Sequence, residues 1–262
     1  MPRSSDFRFP IPTTCAFKLM HAPWDLILDP DLDGTSNMAI DAALLDEVEQ
    51  SSTPRTIVRF YRWKRPTVSL GRNQKIDAAV DRLFCEESGI DIVHRPTGGR
   101  AVLHEDEMTY AVASNDSNCF GDTIYANYKS VSEALCEGFR GLGVPAILAP
   151  ETRRISTSVN GVDLPCFVSP SRYELTVQGR KIVGSAQRRL RRSFLQHGSM
   201  PIHCDRDKLA RATRMANSAL LEEEMAGLAE FLPERPSIER LTGALIQGFM
   251  TRFSIEFKPR VD

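Results

Sequence analysis

Apolar residues recur along this chain at two periods, near two and near 3.6, and the switches between them mark out the elements. Trp24 to Leu28 is a short apolar run and predicts a strand. Asp33-Gly34-Thr35-Ser36 is a turn and N-cap signal. Apolar positions at helical spacing follow from Met38 to Val48 and predict a helix. Ile57 to Trp63 alternates roughly with period two, Pro66 interrupts, and Thr67 to Leu70 predicts the next strand, ended by Gly71. Asp77 to Glu87 predicts one helix, stopped at Gly89. Strands are predicted at Asp91 to His94, Ala101 to His104 and Met108 to Ala113, then a long amphipathic helix at Tyr125 to Phe139, ended by Gly141 and Gly143. Residues 150–163 show no periodicity and read as a loop. Tyr173 to Val177 and Lys181 to Val183 flank Gln178-Gly179, a hairpin signal, and Ser193 to Gln196 continues the sheet. From Asp205 the pattern is helical, with a last strand near Ser254 to Phe257.

The strands clump, with helices between the clumps, so the expected class is α+β rather than a doubly wound parallel sheet. There is no internal repeat and no low-complexity linker. Residues 1–23 read as an irregular tail and 24–257 as one catalytic-size domain, with a helical C-terminal extension from about residue 205. A chain of 262 residues can bury a sizeable core. Its net charge of -1 argues against a chain built as a whole to bind nucleic acid. No apolar run reaches the roughly 18 residues of a membrane span. The first residues hold no apolar core of a secretory signal, and Asp6 argues against a transit peptide. The six cysteines form no CxxC pair and no zinc-ligand spacing, so a reducing cytoplasm is the expected compartment.

Three stretches carry candidate chemistry. Cys166 lies in Leu164-Pro165-Cys166-Phe167, where two nearby prolines stiffen a segment that follows a loop. It reads either as a presented nucleophile or as a small buried hydrophobe. Lys181 enters a strand just after a tight turn, followed by the small residues Gly184-Ser185-Ala186. It reads either as a turn lysine in water or as a desolvated ammonium able to move protons and to favour a nearby thiolate. Arg95-Pro96-Thr97-Gly98-Gly99-Arg100 leads into His104. The Gly-Gly pair can expose backbone N–H groups to an oxyanion or phosphate; the plainer reading is a β-hairpin with exposed arginines. The run Arg188 to Arg192 is either a solvated turn or a docking patch for an acidic partner.

Taken in order, Asn37 to Leu44, Arg95 to His104, Gly179 to Gln187 and Gln196-His197-Gly198-Ser199 resemble the lipoate–protein ligase and octanoyltransferase superfamily, whose catalytic fold is shared with biotin protein ligases. The resemblance runs over roughly residues 24 to 257. It is nearest to the cysteine-dependent branch, which moves octanoyl from acyl carrier protein to glycine cleavage H protein. Arg100 stands where ATP-dependent ligases carry a third glycine. The resemblance implies a central mixed sheet flanked by helices, and Cys166 and Lys181 as catalytic residues. It implies a substrate tunnel formed by Arg95, Gly98, Gly99, Arg100, His104, Gly184, Ser185 and Ala186. Octanoyl–acyl carrier protein would be the donor and a lipoyl domain such as glycine cleavage H protein the acceptor. Arg153, Arg154 and the 188–192 arginines would contact these acidic domains. No cofactor, metal, nucleic acid or membrane is implied, and a monomer is expected. An ATP-dependent lipoate ligase and a non-catalytic acyl- or lipoyl-binding protein are the competing readings.

Overall fold

The computed structural model describes residues 22–149, 158–159, 162–163 and 173–260. In chain order its elements are β1 (Trp24–Leu28), α1 (Gly34–Gln50), β2 (Thr56–Tyr61), β3 (Thr67–Leu70), α2 (Ile76–Ala79), α3 (Arg82–Glu87), β4 (Asp91–His94), β5 (Val102–His104), β6 (Glu107–Ser114) and α4 (Ile124–Leu142). There follow β7 (Ile147–Leu148), β8 (Ser158–Val159), β9 (Val162–Asp163), β10 (Leu175–Val177), β11 (Arg180–Lys181), β12 (Gly184–Arg189), β13 (Phe194–Pro201), α5 (Arg206–Ala212), α6 (Ala219–Glu224), a 3₁₀ turn at Leu228–Phe231, α7 (Ile238–Phe253) and β14 (Phe257–Pro259).

A six-stranded mixed sheet in the order β12-β13-β6-β2-β1-β14 organises the molecule, which makes the fold α+β. On one face Phe60, Tyr110 and Val112 meet α4 and α7 through Phe139, Leu245 and Phe249. The two helices cross closely because Gly138 and Gly248 lie at the contact. A Cβ on Gly248 would stand 2.3 Å from the Ala134 carbonyl oxygen. On the other face Ile57, Ala111 and Leu195 meet Leu44, Leu45 and Val48 of α1. β4-β3-β5 forms a separate three-stranded sheet, and β11-β10-β7 another. Asp33 caps α1, its carboxylate accepting from the Ser36 N–H at 2.9 Å. Gln178 (φ 52°) and Gly179 (φ 81°) both take positive φ between β10 and β11, as a two-residue hairpin turn requires.

Several details depart from the pattern reading, among them β8 and β9 within the expected loop 150–163 and a last strand shifted to Phe257–Pro259. β2 is buried along its whole length because helices cover both sheet faces, so its alternation does not mark a wet side and Arg59 is fully enclosed. The helix expected over Asp77 to Glu87 breaks at Val80-Asp81, where Asp81 caps a second helix by accepting from the Phe84 N–H. The Gly98-Gly99 turn closes no hairpin. β4 runs parallel to β3 and β5 antiparallel to its other side, so the loop crosses over the end of β3. Arg95 in it is buried, not exposed. Among the described residues no helix is long and apolar enough to cross a membrane.

Candidate active site

The α1 face that packs on the sheet carries Met38, Asp41, Leu44, Leu45 and Val48. That spacing brings a carboxylate into an apolar interface, where Asp41 is 0% exposed. Such a charge is tolerable only with close partners. Arg59 rises from β2 beneath it. Its Nη1 donates to Asp41 Oδ1 at 2.8 Å, its Nε to Asp29 Oδ2 at 2.6 Å and its Nη2 to Asn37 Oδ1 at 2.8 Å. Asp41 Oδ2 accepts from the Tyr61 hydroxyl at 2.8 Å and from His197 Nδ1 at 2.7 Å. Burial works against the Asp41 charge, but His197, Arg59 and Tyr61 outweigh it and hold the carboxyl below its usual range. Burial also pulls His197 below the ordinary imidazole value, overcoming the attraction of Asp41. The ring is therefore neutral near pH 7 with its proton on Nδ1. Its Nε2 then accepts from the Thr97 hydroxyl, 2.7 Å away.

A second hydroxyl–imidazole–carboxylate chain lies nearby. His104 Nδ1 meets Glu107 Oε1 at 2.9 Å and its Nε2 meets Ser69 Oγ at 2.8 Å. The Trp63 indole stacks on His104 with centroids 4.0 Å apart and donates to Thr109 Oγ1 at 2.8 Å. Thr109 and Ser199 both donate to Glu107. Arg95 ties the Gly-Gly loop to this chain. It donates to Ser69 O at 2.9 Å, to Gly98 O at 2.8 and 3.1 Å, and to Arg100 O at 2.8 Å.

Between the two chains lies a narrow cleft of about 310 Å³, mouth included. Sheet register gives its direction. Gly184, Ser199, Thr109 and Tyr61 are paired in one row across four strands, and Ala186, His197, Ala111 and Arg59 in the next. β12 is the edge strand. From that edge inward the first row passes from a bare Cα to a phenol, so the cleft runs from Gly184 and Ala186 towards Tyr61, Trp63 and Met38. Gly198 must be glycine here, since a Cβ would stand 2.7 Å from the Tyr110 ring.

Of the residues singled out from sequence, Arg95, His104, Gly184, Ser185 and Ala186 line this cleft. Gly98, Gly99 and Arg100 are not part of that lining; they form the loop above it. Gly99 takes φ 91°, and a Cβ there would point within 3.8 Å of Ala186 Cβ. Lys181 is not a turn lysine in water. It is 3% exposed, and its Nζ donates to Glu174 Oε1 at 2.5 Å. It lies in β11, paired with β10, three residues before Gly184 in the chain. Cys166, Arg153 and Arg154 lie outside the described residues. In the 188–192 run, Arg192 donates to the Glu49 carbonyl.

Pattern reading did not single out Asp41, Arg59, Glu107 or His197 as site residues, although Asp41 and His197 fall inside the stretches that carry the family resemblance. The signal for the first two was present: Asp41 sits among Met38, Leu44 and Leu45 at helical spacing, and Arg59 between Ile57 and Tyr61 at strand spacing.

Residues 33–250 match the lipoyl protein ligase A/B catalytic domain. The chain belongs to this family. It is 37% identical over 243 residues to octanoyltransferase LipM of Carboxydothermus hydrogenoformans, covering 89% of this chain and 88% of the relative. It is 34% identical over 246 residues to octanoyltransferase LipM of Bacillus subtilis, covering 90% and 88%. A T. acidophilum protein solved with bound lipoic acid shares 26% identity and superposes with a TM-score of 0.72 over 91% of this chain and 89% of its own. A lipoate-protein ligase A bound with ATP, 24% identical, superposes with a TM-score of 0.74 over 92% and 90%, a likeness of fold.

Proposed function

We propose that this member of the lipoyl ligase family transfers octanoyl from octanoyl–acyl carrier protein to the lysine of a lipoyl domain, such as glycine cleavage H protein, through a Cys166 thioester. The observation that carries the reading is the cleft running inward from the edge strand β12, in a chain 34–37% identical to octanoyltransferases. Lipoic acid, held by a relative of the same fold, has the carbon skeleton of octanoate.

The Cys166 thiolate attacks the thioester carbonyl, the carbonyl oxygen takes up the charge, and the carrier thiolate leaves with a proton. One thioester replaces another, so the step is nearly isoenergetic. The acceptor amine then attacks the acyl-enzyme. Its proton passes to a base, the Cys166 sulfur leaves, and an amide forms. That step runs downhill without ATP. Lys181 supplies and accepts the protons at the sulfur and keeps it as thiolate between turnovers. The tail lies along the cleft towards Tyr61 and Trp63. Burial of about six methylenes at roughly 0.8 kcal/mol each favours octanoyl over short chains by about 5 kcal/mol. A reducing cytoplasm suits a free thiol nucleophile, and the chain acts as a monomer.

Intact mass spectrometry after incubation with octanoyl–acyl carrier protein tests this. The enzyme gains one octanoyl group, removable by neutral hydroxylamine and absent in Cys166→Ala. An adduct that survives in Cys166→Ala and resists neutral hydroxylamine would move the acyl group to an oxygen, with Ser69 beside His104 and Glu107 the first place to look. Product formed only from free octanoate and ATP would replace transfer by ligation.

A further inference from the structure

Glu174 and Lys181 are an ion pair buried on both sides, 5% and 3% exposed, with Oε1 and Nζ 2.5 Å apart. Their placement follows from the hairpin. Thr176 is paired with Lys181, so the Lys181 side chain shares a face of the hairpin with Thr176, and Glu174, two residues earlier, lies on that same face. The backbone turns sharply just before it. Tyr173 takes φ 65°, a region costly for an aromatic residue, and its N–H donates to Ala149 O while the Ala149 N–H donates to Glu174 O. A buried ion pair adds little net stability compared with apolar residues of the same size, so stability alone does not account for one at this point.

We infer that Glu174 is the positioning residue of Lys181: its carboxylate fixes the lysine side chain and holds it as ammonium. The inference rests on the acyl-transfer reading. In that reaction Lys181 gives its proton to the departing carrier thiolate and becomes an amine. In the second step that amine takes the proton shed by the attacking acceptor nitrogen and is ammonium again, while the Cys166 sulfur leaves as thiolate. The Glu174 charge favours this return to ammonium, because an amine beside a buried carboxylate leaves that charge without a counter-ion. Other charges near the hairpin are already engaged with one another. Arg180 and Arg206 both donate to Glu230, Arg206 also pairs with Glu222, and the Lys181 carbonyl accepts from the Ala226 N–H.

The test compares Glu174→Gln, Glu174→Asp, Lys181→Met and the double variant Glu174→Gln/Lys181→Met, each checked for folding by circular dichroism. Glu174→Gln keeps the shape but not the charge. It should slow Cys166 acylation at pH 7 about 10- to 100-fold, the worth of a charge-assisted hydrogen bond, with KM for the carrier protein unchanged. The alkaline limb of its pH–rate profile should move to lower pH. Glu174→Asp should restore most of the rate. In the Lys181→Met background the Gln substitution should have no further effect, because Glu174 acts only through the lysine. A folded Glu174→Gln with the wild-type rate and pH profile, or equal losses with and without Lys181, would overturn the inference. If Glu174→Gln does not fold, the Asp variant decides: it must keep KM and shift the same limb in part. Absence of any octanoyl adduct on wild-type enzyme would instead sink the transfer reading itself.

Discussion

Replacing Asp41 with Asn probes the buried charge cluster behind His197 and Tyr61, which line the cleft. The shape is kept, one negative charge is lost, and one carboxylate oxygen becomes an N–H₂ donor facing groups that also donate. Arg59, itself 0% exposed, then leans on Asp29, whose side chain is 18% exposed. Breaking a buried pair from one side costs about 3–5 kcal/mol. The Arg59–Asp29 bond at 2.6 Å survives, so the lower end, about 3 kcal/mol, is expected. In a chain of this size 1 kcal/mol moves the melting midpoint by about 2–4 °C, which gives a fall of about 6–12 °C. Urea unfolding followed by tryptophan fluorescence should show a lower midpoint at an unchanged slope. The wild-type Asp41 carboxyl is held below its ordinary value of 3.8. Its contribution is therefore complete above about pH 4 and fades as pH falls through the lower folded value. A loss under about 1 kcal/mol at pH 7 would mean that Asp41 is not the counter-ion of Arg59 and His197.

The neutral state of His197 has its own signature. Its folded value lies below the ordinary 6.5, so the unfolded chain binds the proton first. Stability, complete above about pH 6.5, should decline on acidification with a slope of at most about 1.36 kcal/mol per unit, and His197→Gln should lose that component of the slope. Gly71→Ala puts a Cβ 2.0 Å from the Gly99 carbonyl oxygen. It should displace the Gly-Gly loop and lower acyl transfer at least tenfold for a stability loss of about 1–3 kcal/mol; transfer at the wild-type rate would detach the loop from the reaction. Lys181→Ala should slow iodoacetamide alkylation of Cys166 at neutral pH, with recovery towards the free-thiol range of about 8.5 and above. Superimposable alkylation curves for wild type and variant would leave Lys181 no part in holding the thiolate.

Local rules account for what could be seen in the bare chain. The Asp33 cap, the Gln178-Gly179 hairpin, the Gly143 helix end and the α+β clumping each depend on residues a few positions apart, and they are legible for that reason. The loop motif at Arg95 to His104 and the small residues at Gly184 to Ala186 were legible as chemistry, but not as geometry. Only tertiary structure put Ala186 in register with His197, and through Ala111 with Arg59, because strand register is set by pairing across the sheet rather than by neighbours in sequence. Only tertiary structure turned Arg95 inward, since β4 and β5 flank β3 instead of pairing with each other. Nor does any local signal say whether a charge in an apolar period is an error in the pattern or one half of a buried pair. Asp41 and Arg59 lie far apart in sequence, and the low dielectric that makes each too costly alone binds them together once α1 has packed on β2.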